Sequence, residues 1–454
     1  MNIKDTIIAP ATAPGEGGIA IVRISGPDAS LALKKYFISS SGAAEFKSHQ
    51  LYHGTLVDSL GEPLDEVMAV FMAAPHTYTR DDVAEIHSHG SQQVVKSILN
   101  LYLKEGLRLA EPGEFTYRAY MNGRLDLAQA EAVARLISSR TETSRRLALA
   151  QVEGALSHQI DIYTRVVKKA LVFIEAWIDF PEEDLPAADS RLLEDQIMQI
   201  NSNMSEILKH YDYGRVLVDG ASILLVGQPN VGKSSLLNSL LGEDRAIVTN
   251  IPGTTRDILE EGLNIDGIPL RLIDTAGLRQ TDDVVELEGV RRALKKMSTA
   301  DLILFLVDSS QQLSDQDVFV YEQCRGLPTL MVLTKIDLGC QHSSSPFPDL
   351  VYCEVSIKTG QGIDQLKAEI AKRLVGDSCF STESVMLTEQ RHYEALQLSH
   401  KSLTRFVCLL ERGESLDLLA FELRDALHHL GQISGETTTE SLLDDIFSNF
   451  CIGK

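Results

Sequence analysis

The sequence predicts a multidomain α/β and α chain. A small α+β domain comes first, and a discontinuous helical domain is interrupted by an inserted α/β domain. Three observations carry this. The first stretch is built of short β-branched runs between breakers; the second holds apolar residues at three- and four-residue spacing, with no Pro between Pro112 and Pro181; and beyond residue 219 strand, loop and helix alternate. The expected divisions are 1–120, 121–215, 216–376 and 377–454, the second and fourth being two parts of one helical domain.

Taken in order, GIAIVRIS (18–25) reads as a strand closed by the breaker pair Gly26-Pro27. EVMAVFMA (66–73) and DVAEIHSHG (82–90) are two more strand candidates, and SQQVVKSILNLYL (91–103) is a helix. Residues 121–215 form long amphipathic helices, the last over 191–210. The runs ASILLVG, LRLIDTAG, LILFLVDSS, TLMVLTKID and VYCEVS are continuously apolar, as in a parallel sheet buried on both faces. Residues 376–384 form a linker, and the remainder is helical, with Thr437-x-x-Glu440 read as a capping box.

Composition narrows the function classes. The 454 residues carry 42 Lys and Arg against 64 Asp and Glu, a formal charge of −22. Such a chain does not grip nucleic acid by bulk charge, though a local basic patch or a partner can supply one. The six Cys all lie at or beyond Cys324 and form no Cys-x-x-Cys pair, which argues against a disulfide framework or a zinc site. No apolar run approaches the ~20 residues of a membrane span. The segment MNIKDTIIAPATAPG lacks a basic and then apolar leader, so a cytoplasmic location is expected.

Gly227-Gln-Pro-Asn-Val-Gly232-Lys233-Ser234 fits G-x-x-x-x-G-K-[ST] between a strand and a helix. Asn230, Val231, Gly232, Lys233, Ser234 and Ser235 are therefore candidate phosphate-binding residues, with Lys233 on the β- and γ-phosphates and Ser234 on Mg²⁺. Asp274-Thr275-Ala276-Gly277 closes the strand LRLI, placing Asp274 toward the metal and Gly277 toward the γ-phosphate. Thr334-Lys335-Ile-Asp337 follows the strand TLMVL. A carboxylate there accepts both N–H donors of guanine, so the nucleotide is GTP. Thr334 stands where Asn is usual. Ser356-Ile-Lys358 matches the last guanine loop. These ordered elements predict a Ras-like P-loop GTPase domain. Thr254 and Thr255 fall where a switch loop supplies a Thr to Mg²⁺, with Thr255 preferred.

Two features are unusual. Leu278 follows Gly277, so no Gln orients water there, and Asp282, Asp283 and Glu286 are the acidic candidates nearby. Asn230 offers an amide oxygen for a monovalent cation inside the phosphate loop, or is a plain turn residue. Elsewhere, Glu85, His87 and His89 alternate along one strand with no further metal ligand evident. Arg291, Arg292, Lys295 and Lys296 read as a solvated basic helical face.

The segments APATAPGEGGIAIVRISG (9–26), EPGEFTYRAYMNGRLDLAQAEAV (111–133), IDFPEED (178–184), GQPNVGKSSLLN, IVTNIPGTTRD, IDTAGLR and the final FCIGK together resemble the bacterial MnmE (TrmE) family of tRNA uridine-modification GTPases. That resemblance implies a homodimer whose N-terminal domain binds 5-formyl- or methylene-tetrahydrofolate through Arg23, Glu85, Arg124 and Lys454. It implies Cys451 as a catalytic thiol. It further implies a K⁺-activated G domain, with Asn230, Thr249, Ile251 and Thr254 as potassium ligands, Ser234 and Thr255 on Mg²⁺, and Glu286 orienting water. With the FAD-containing partner MnmG (GidA), in a heterotetramer, the family installs a carboxymethylaminomethyl or aminomethyl group at carbon 5 of the tRNA wobble uridine. The G-domain pattern alone fits equally a regulatory or ribosome-assembly GTPase, and folate retention by residues 1–120 separates the two.

Overall fold

The computed structural model describes residues 4–42, 44–179, 187–243, 261–274, 297–339, 341, 346–376 and 385–453. The chain divides into two compact units. One comprises Met1–Ala134, Gln151–Glu175 and Ala420–Lys454; the other comprises Arg135–Ala150 and Ala176–Leu419.

The first unit holds a seven-stranded sheet. Its strands are β1 (Ile7–Pro10), β2 (Gly17–Ser25), β3 (Phe37–Ser39), β4 (Gln50–Val57), β5 (Pro63–Met72), β6 (Val83–Gly90) and β7 (Arg108–Leu109), in the order β3-β4-β5-β6-β2-β1-β7. Val22, Ile24, Ala84 and Ile86 are fully buried and join Ile8, Leu33, Leu56, Ile98 and Tyr102 in one core. The period of two along a strand therefore turns Arg23, Glu85 and His87 to the other face. The register sets Arg23 opposite Glu85.

Below this sheet a buried charge network ties the chain start to the helix Glu114–Met121. Arg118 and Glu114 have fully buried side chains, 2.9 Å apart. Arg118 also donates to Asp5 at 2.6 Å, and Arg108 donates to Asp5 and Glu114 at 2.7 and 2.6 Å. Hydrogen bonds from Arg108 lead in holding the Asp5 carboxyl below its ordinary range. Burial works against the charged form of Glu114, but bonds from Arg108, the Glu111 backbone and Arg118 overcome it and hold that carboxyl low as well.

The helix Glu440–Ser448 seats Leu443 and Phe447 against Leu127, Ala130, Tyr117 and Tyr120. It begins one residue after Thr439, not at Thr437, which corrects the expected capping box. The Thr437 hydroxyl instead donates to the His428 carbonyl at 2.9 Å.

The second unit holds a six-stranded sheet of β8 (Ala221–Gly227), β9 (Glu261–Ile265), β10 (Ile268–Asp274), β11 (Leu302–Asp308), β12 (Thr329–Thr334) and β13 (Tyr352–Glu354), in the order β13-β12-β11-β8-β10-β9. Five strands are parallel, as their apolar runs require. A sixth strand that the sequence did not mark, β9, pairs antiparallel to β10 at the edge. Alternate residues fill two cores. Ile223, Leu225, Leu304, Leu306 and Val332 face one side, and Leu224, Val226, Phe305, Val307 and Met331 face the other. Helices 187–209, 211–219 and 390–411 belong to this unit. Arg135 donates to both Asp219, where β8 is about to begin, and Glu389, the cap of the helix Gln390–Glu411.

Candidate functional site

Two clusters of predicted residues take shape, one in each unit. In the second unit β8 ends at Gly227 and the helix Lys233–Glu243 begins at once. Between them Gly227, Asn230 and Gly232 have φ of 146, 63 and 108°. Alternation of left- and right-handed backbone gathers successive N–H groups into an anion-binding concavity, and the helix start adds its own. Asn230, Ser234 and Ser235 are exposed, whereas Val231 is buried and anchors the loop. Lys233 Nζ donates to the carbonyls of Gly227 and Gln228 at 2.7 and 2.8 Å, which curls the loop around its own lysine.

The guanine-side residues converge on the same loop. The buried Thr334 hydroxyl bonds to the Val231 carbonyl at 2.8 Å, so Thr334 ties the end of β12 to the phosphate loop. Lys335, at φ 60°, donates to Asp308 at 2.7 Å. Burial opposes the charge on Asp308, but this bond and those from Ser310 hold its carboxyl below the ordinary range. Asp337 is exposed, and the fully buried Ser356 fixes it through a 2.7 Å bond from its hydroxyl. A Cβ at Gly232 would meet Ile357 at 3.3 Å, which puts phosphate and guanine loops in contact. A cavity of about 100 Å³ opens here between Asn230, Asp308, Leu313 and Lys335. Asp274 ends β10, beside β8. Thr249, Ile251, Thr254, Thr255, Thr275, Ala276, Gly277 and Glu286 lie outside the described residues, as does the basic segment Arg291–Lys296.

Sequence reasoning missed the support beneath this loop. Gln228 donates to Ser314 and Asp317. These two residues also form a capping box on the helix Asp315–Cys324. The S-x-x-D spacing was the available signal.

In the first unit Arg23 Nε donates to Glu85 Oε1 at 2.8 Å, and His87 Nε2 lies 3.3 Å from Glu85 Oε2. Burial raises the Glu85 carboxyl, but His87 and Arg23 outweigh it and keep it below the usual range. His89 turns away to Asp65 at 2.7 Å. The Arg23 guanidinium also stands 5.8 Å from the ring centres of Tyr78 and Phe115. Arg124 caps the same Tyr78 ring at 4.6 Å and bonds to its backbone carbonyl at 2.8 Å. Tyr78 thus contacts both predicted arginines, and its hydroxyl is pinned by Thr116 at 2.9 Å. No sequence pattern marked Tyr78, because it sits in the irregular segment before β6.

The end of the chain reaches this unit's sheet. The Gly113 N–H donates to the Cys451 carbonyl at 3.4 Å. A Cβ at Gly453 would lie 2.0 Å from the Pro10 carbonyl oxygen, and Pro10 pairs with Val22, next to Arg23. Only glycine fits that approach, at φ 93°. The Cys451 residue itself is exposed. Lys454 lies outside the described residues.

Comparison with known proteins gives a consistent picture. A family model described as the MnmE helical domain matches residues 127–451, and one described as the GTP-binding protein TrmE N-terminus matches residues 6–124. A protein of Syntrophotalea carbinolica named tRNA modification GTPase MnmE is 48% identical over 452 residues, covering 99% of this chain and 99% of that one. Its namesake from Geobacter sulfurreducens is 46% identical over 100% of both chains. Among solved structures, Aquifex aeolicus Era bound to GDP and AlF4− is 29% identical over 40% of this chain and 66% of that chain, with a TM-score of 0.29.

Proposed function

The chain belongs to the MnmE family of tRNA modification GTPases, and from that premise we propose that it couples GTP hydrolysis to building a carboxymethylaminomethyl or aminomethyl group on carbon 5 of the tRNA wobble uridine. The observation that carries the reading is the pair of clusters. One is a phosphate loop bonded to a guanine-side loop; the other is an arginine–carboxylate–tyrosine cluster that the chain end approaches. A nucleotide switch needs only the first.

In the G domain the phosphate loop and Lys233 bind the GTP phosphates, and Asp337 accepts the guanine N–H donors. The exposed Ser234 and Ser235 at the helix start suit this work. Ser234, with Thr255, would hold Mg²⁺, which neutralises phosphate charge. Asn230, in its left-handed turn, would hold K⁺ with Thr249, Ile251 and Thr254. That ion supplies the positive charge an arginine finger gives elsewhere. Asp274, Thr275, Ala276 and Gly277 would sense the γ-phosphate, and Glu286 would orient water in place of the missing Gln.

In the N-terminal unit Arg23, Glu85, Arg124 and Lys454 would hold 5-formyl- or methylene-tetrahydrofolate, the source of the one-carbon unit. The residues fit such a ligand. Glu85 is kept ionised and so accepts from ring N–H groups, while two guanidinium groups on an aromatic ring offer donors for carboxylates. Cys451 would act as a thiol at that site. We further propose a cytoplasmic homodimer working with the flavoprotein MnmG (GidA), which would bring FAD. Among the described residues, no helix is long and apolar enough to cross a membrane.

The test is mass spectrometry of tRNA nucleosides from cells lacking the protein, complemented with wild type or Cys451→Ser. Restoration of the modified uridine by wild type alone supports both enzyme and thiol. Restoration by both leaves the enzyme and removes the thiol's role. A nucleoside profile that never changes overturns the reading in favour of a switch.

A further inference from the structure

Because β8 and β11 are parallel neighbours, the loops that leave their C-terminal ends emerge side by side. Gly227, the last residue of β8, pairs with Leu306 so closely that a Cβ would stand 2.5 Å from the Leu306 carbonyl oxygen. The next residue, the half-buried Gln228, directs its amide to Ser314 Oγ and Asp317 Oδ2. The end that faces a carboxylate is the NH2 group, since a carboxylate only accepts. Asp317 is buried, and the Ser314 backbone N–H and hydroxyl donate to the same Oδ2 at 3.0 and 3.1 Å. The anchor is therefore itself fixed, as part of the cap of a ten-residue helix.

Gln228 is engaged at both ends. Its backbone carbonyl accepts from Lys233 Nζ at 2.8 Å, so a shift of Gln228 carries the lysine with it. Pro229 follows and has no N–H to donate. Asn230 then stands at φ 63°, a left-handed conformation that persists in a residue with a Cβ only where its surroundings impose it. Pro229 and Asn230 are exposed, so burial does not impose it. What brackets them is one bond on each side. The Gln228 amide ties the loop to the helix Asp315–Cys324, and the Thr334 hydroxyl ties the Val231 carbonyl to the end of β12.

We propose that Gln228 is a positioning residue for the guanine nucleotide, which deepens the GTPase reading of this loop. It acts through Asn230 and Lys233 rather than by contact with the nucleotide. Together with Thr334 it holds the loop, before nucleotide arrives, in the shape that receives phosphates. A loop already in that shape loses less binding energy to ordering. Removing the anchor therefore weakens GDP and GTP alike and leaves the chemical step in place.

The experiment compares variants of the full chain by fluorescent GTP and GDP titration and by steady-state hydrolysis. Gln228→Leu keeps the bulk of the side chain and neither bond. It should weaken GTP and GDP by a similar factor, on the order of tenfold, and raise KM with kcat within about twofold of wild type. Gln228→Arg, whose guanidinium still donates to Asp317, should recover most of the affinity. Gln228→Glu, which sets a second carboxylate against Asp317, should bind more weakly than Gln228→Leu. Gln228→Leu combined with Thr334→Val should lose more than the product of the two single losses, because both anchors hold one turn. Wild-type affinity in Gln228→Leu overturns the proposal. So does a fall in kcat with KM unchanged, which would place Gln228 in the chemical step. An Arg variant no better than the Leu variant, or losses that simply multiply, overturns it as well. Wild type that binds no GTP overturns the GTPase reading and the proposal together.

Discussion

The two clusters are built on opposite plans. Around the phosphate loop most of the recognition is backbone: a glycine-punctuated turn, a helix start and short contiguous motifs on successive strand ends. Around Arg23 the recognition is all side chain. Arg23 comes from β2, Glu85 from β6, Tyr78 from a loop and Arg124 from the end of a helix–turn, with the chain end arriving from far away in sequence. A site made of backbone must be written as a local pattern, because only certain residues permit the turn. A site made of side chains can be gathered from anywhere the fold brings together. The first is fragile to glycine replacement, the second to loss of the scaffold that aligns it.

The largest expected effect tests that scaffold. Arg118→Ala removes one of the two guanidinium partners of the buried Glu114 carboxylate and empties a fully buried position, and should destabilise the N-terminal unit by about 3–5 kcal/mol, read by denaturant unfolding, with nucleotide binding retained. Equal loss of both functions would break the contrast. The same network sets an acid limit. Asp5 and Glu114 have lowered folded pKa values, so the unfolded chain takes up protons first as pH falls. Their contribution is full above their ordinary values of 3.8 and 4.5 and is lost as pH drops through the lower folded ones. Thermal melts from pH 6 to pH 3, followed by a probe in each unit, should show this acid-dependent step reduced in the Arg118→Ala chain, with Arg108 keeping the remainder.

Next, Lys233→Ala should lower GTP kcat/KM on the order of 10²–10³-fold and leave the proposed tetrahydrofolate binding at the Arg23–Glu85 cluster alone. A smaller effect is expected at Tyr78. Tyr78→Leu removes two guanidinium–ring contacts of about 0.5–2 kcal/mol each, and if the proposed folate site is there, tetrahydrofolate titration should show weaker binding, with Tyr78→Phe close to wild type. The smallest belongs to Thr334→Val, which deletes the bond to Val231. About 1 kcal/mol, or roughly fivefold in GTP affinity, should go, measured by fluorescent-nucleotide titration.

This contrast also explains what the sequence made legible. The five parallel strands, the strand–loop–helix around Gly227–Ser234 and the loops after β12 and β13 were readable because each is a continuous run or a spaced motif. β1, β4 and the edge strand β9 were not, since IIAP and EGLNI are too short or too mixed to carry a period. Arg23, Glu85, Arg124 and Cys451 came from family resemblance. Their mutual geometry waited for the register that sets β2 against β6. Thr334 reads as a departure from Asn, yet its hydroxyl makes the bond that locks one loop to the other, a contact no spacing encodes.

Tyr120 bonds to the carbonyl of Gly435, 315 residues later. Closing a flexible loop of that length costs about 5 kcal/mol in chain entropy by the logarithmic law. The C-terminal segment therefore docks slowly onto the first unit from a fully unfolded chain. Once the intervening G domain has folded, the chain between those residues is already compact and much of that search is over. Refolding of the first unit should then be timed by the second, and GTP, by stabilising the nucleotide-binding half, should act as a folding aid for the half that it does not touch.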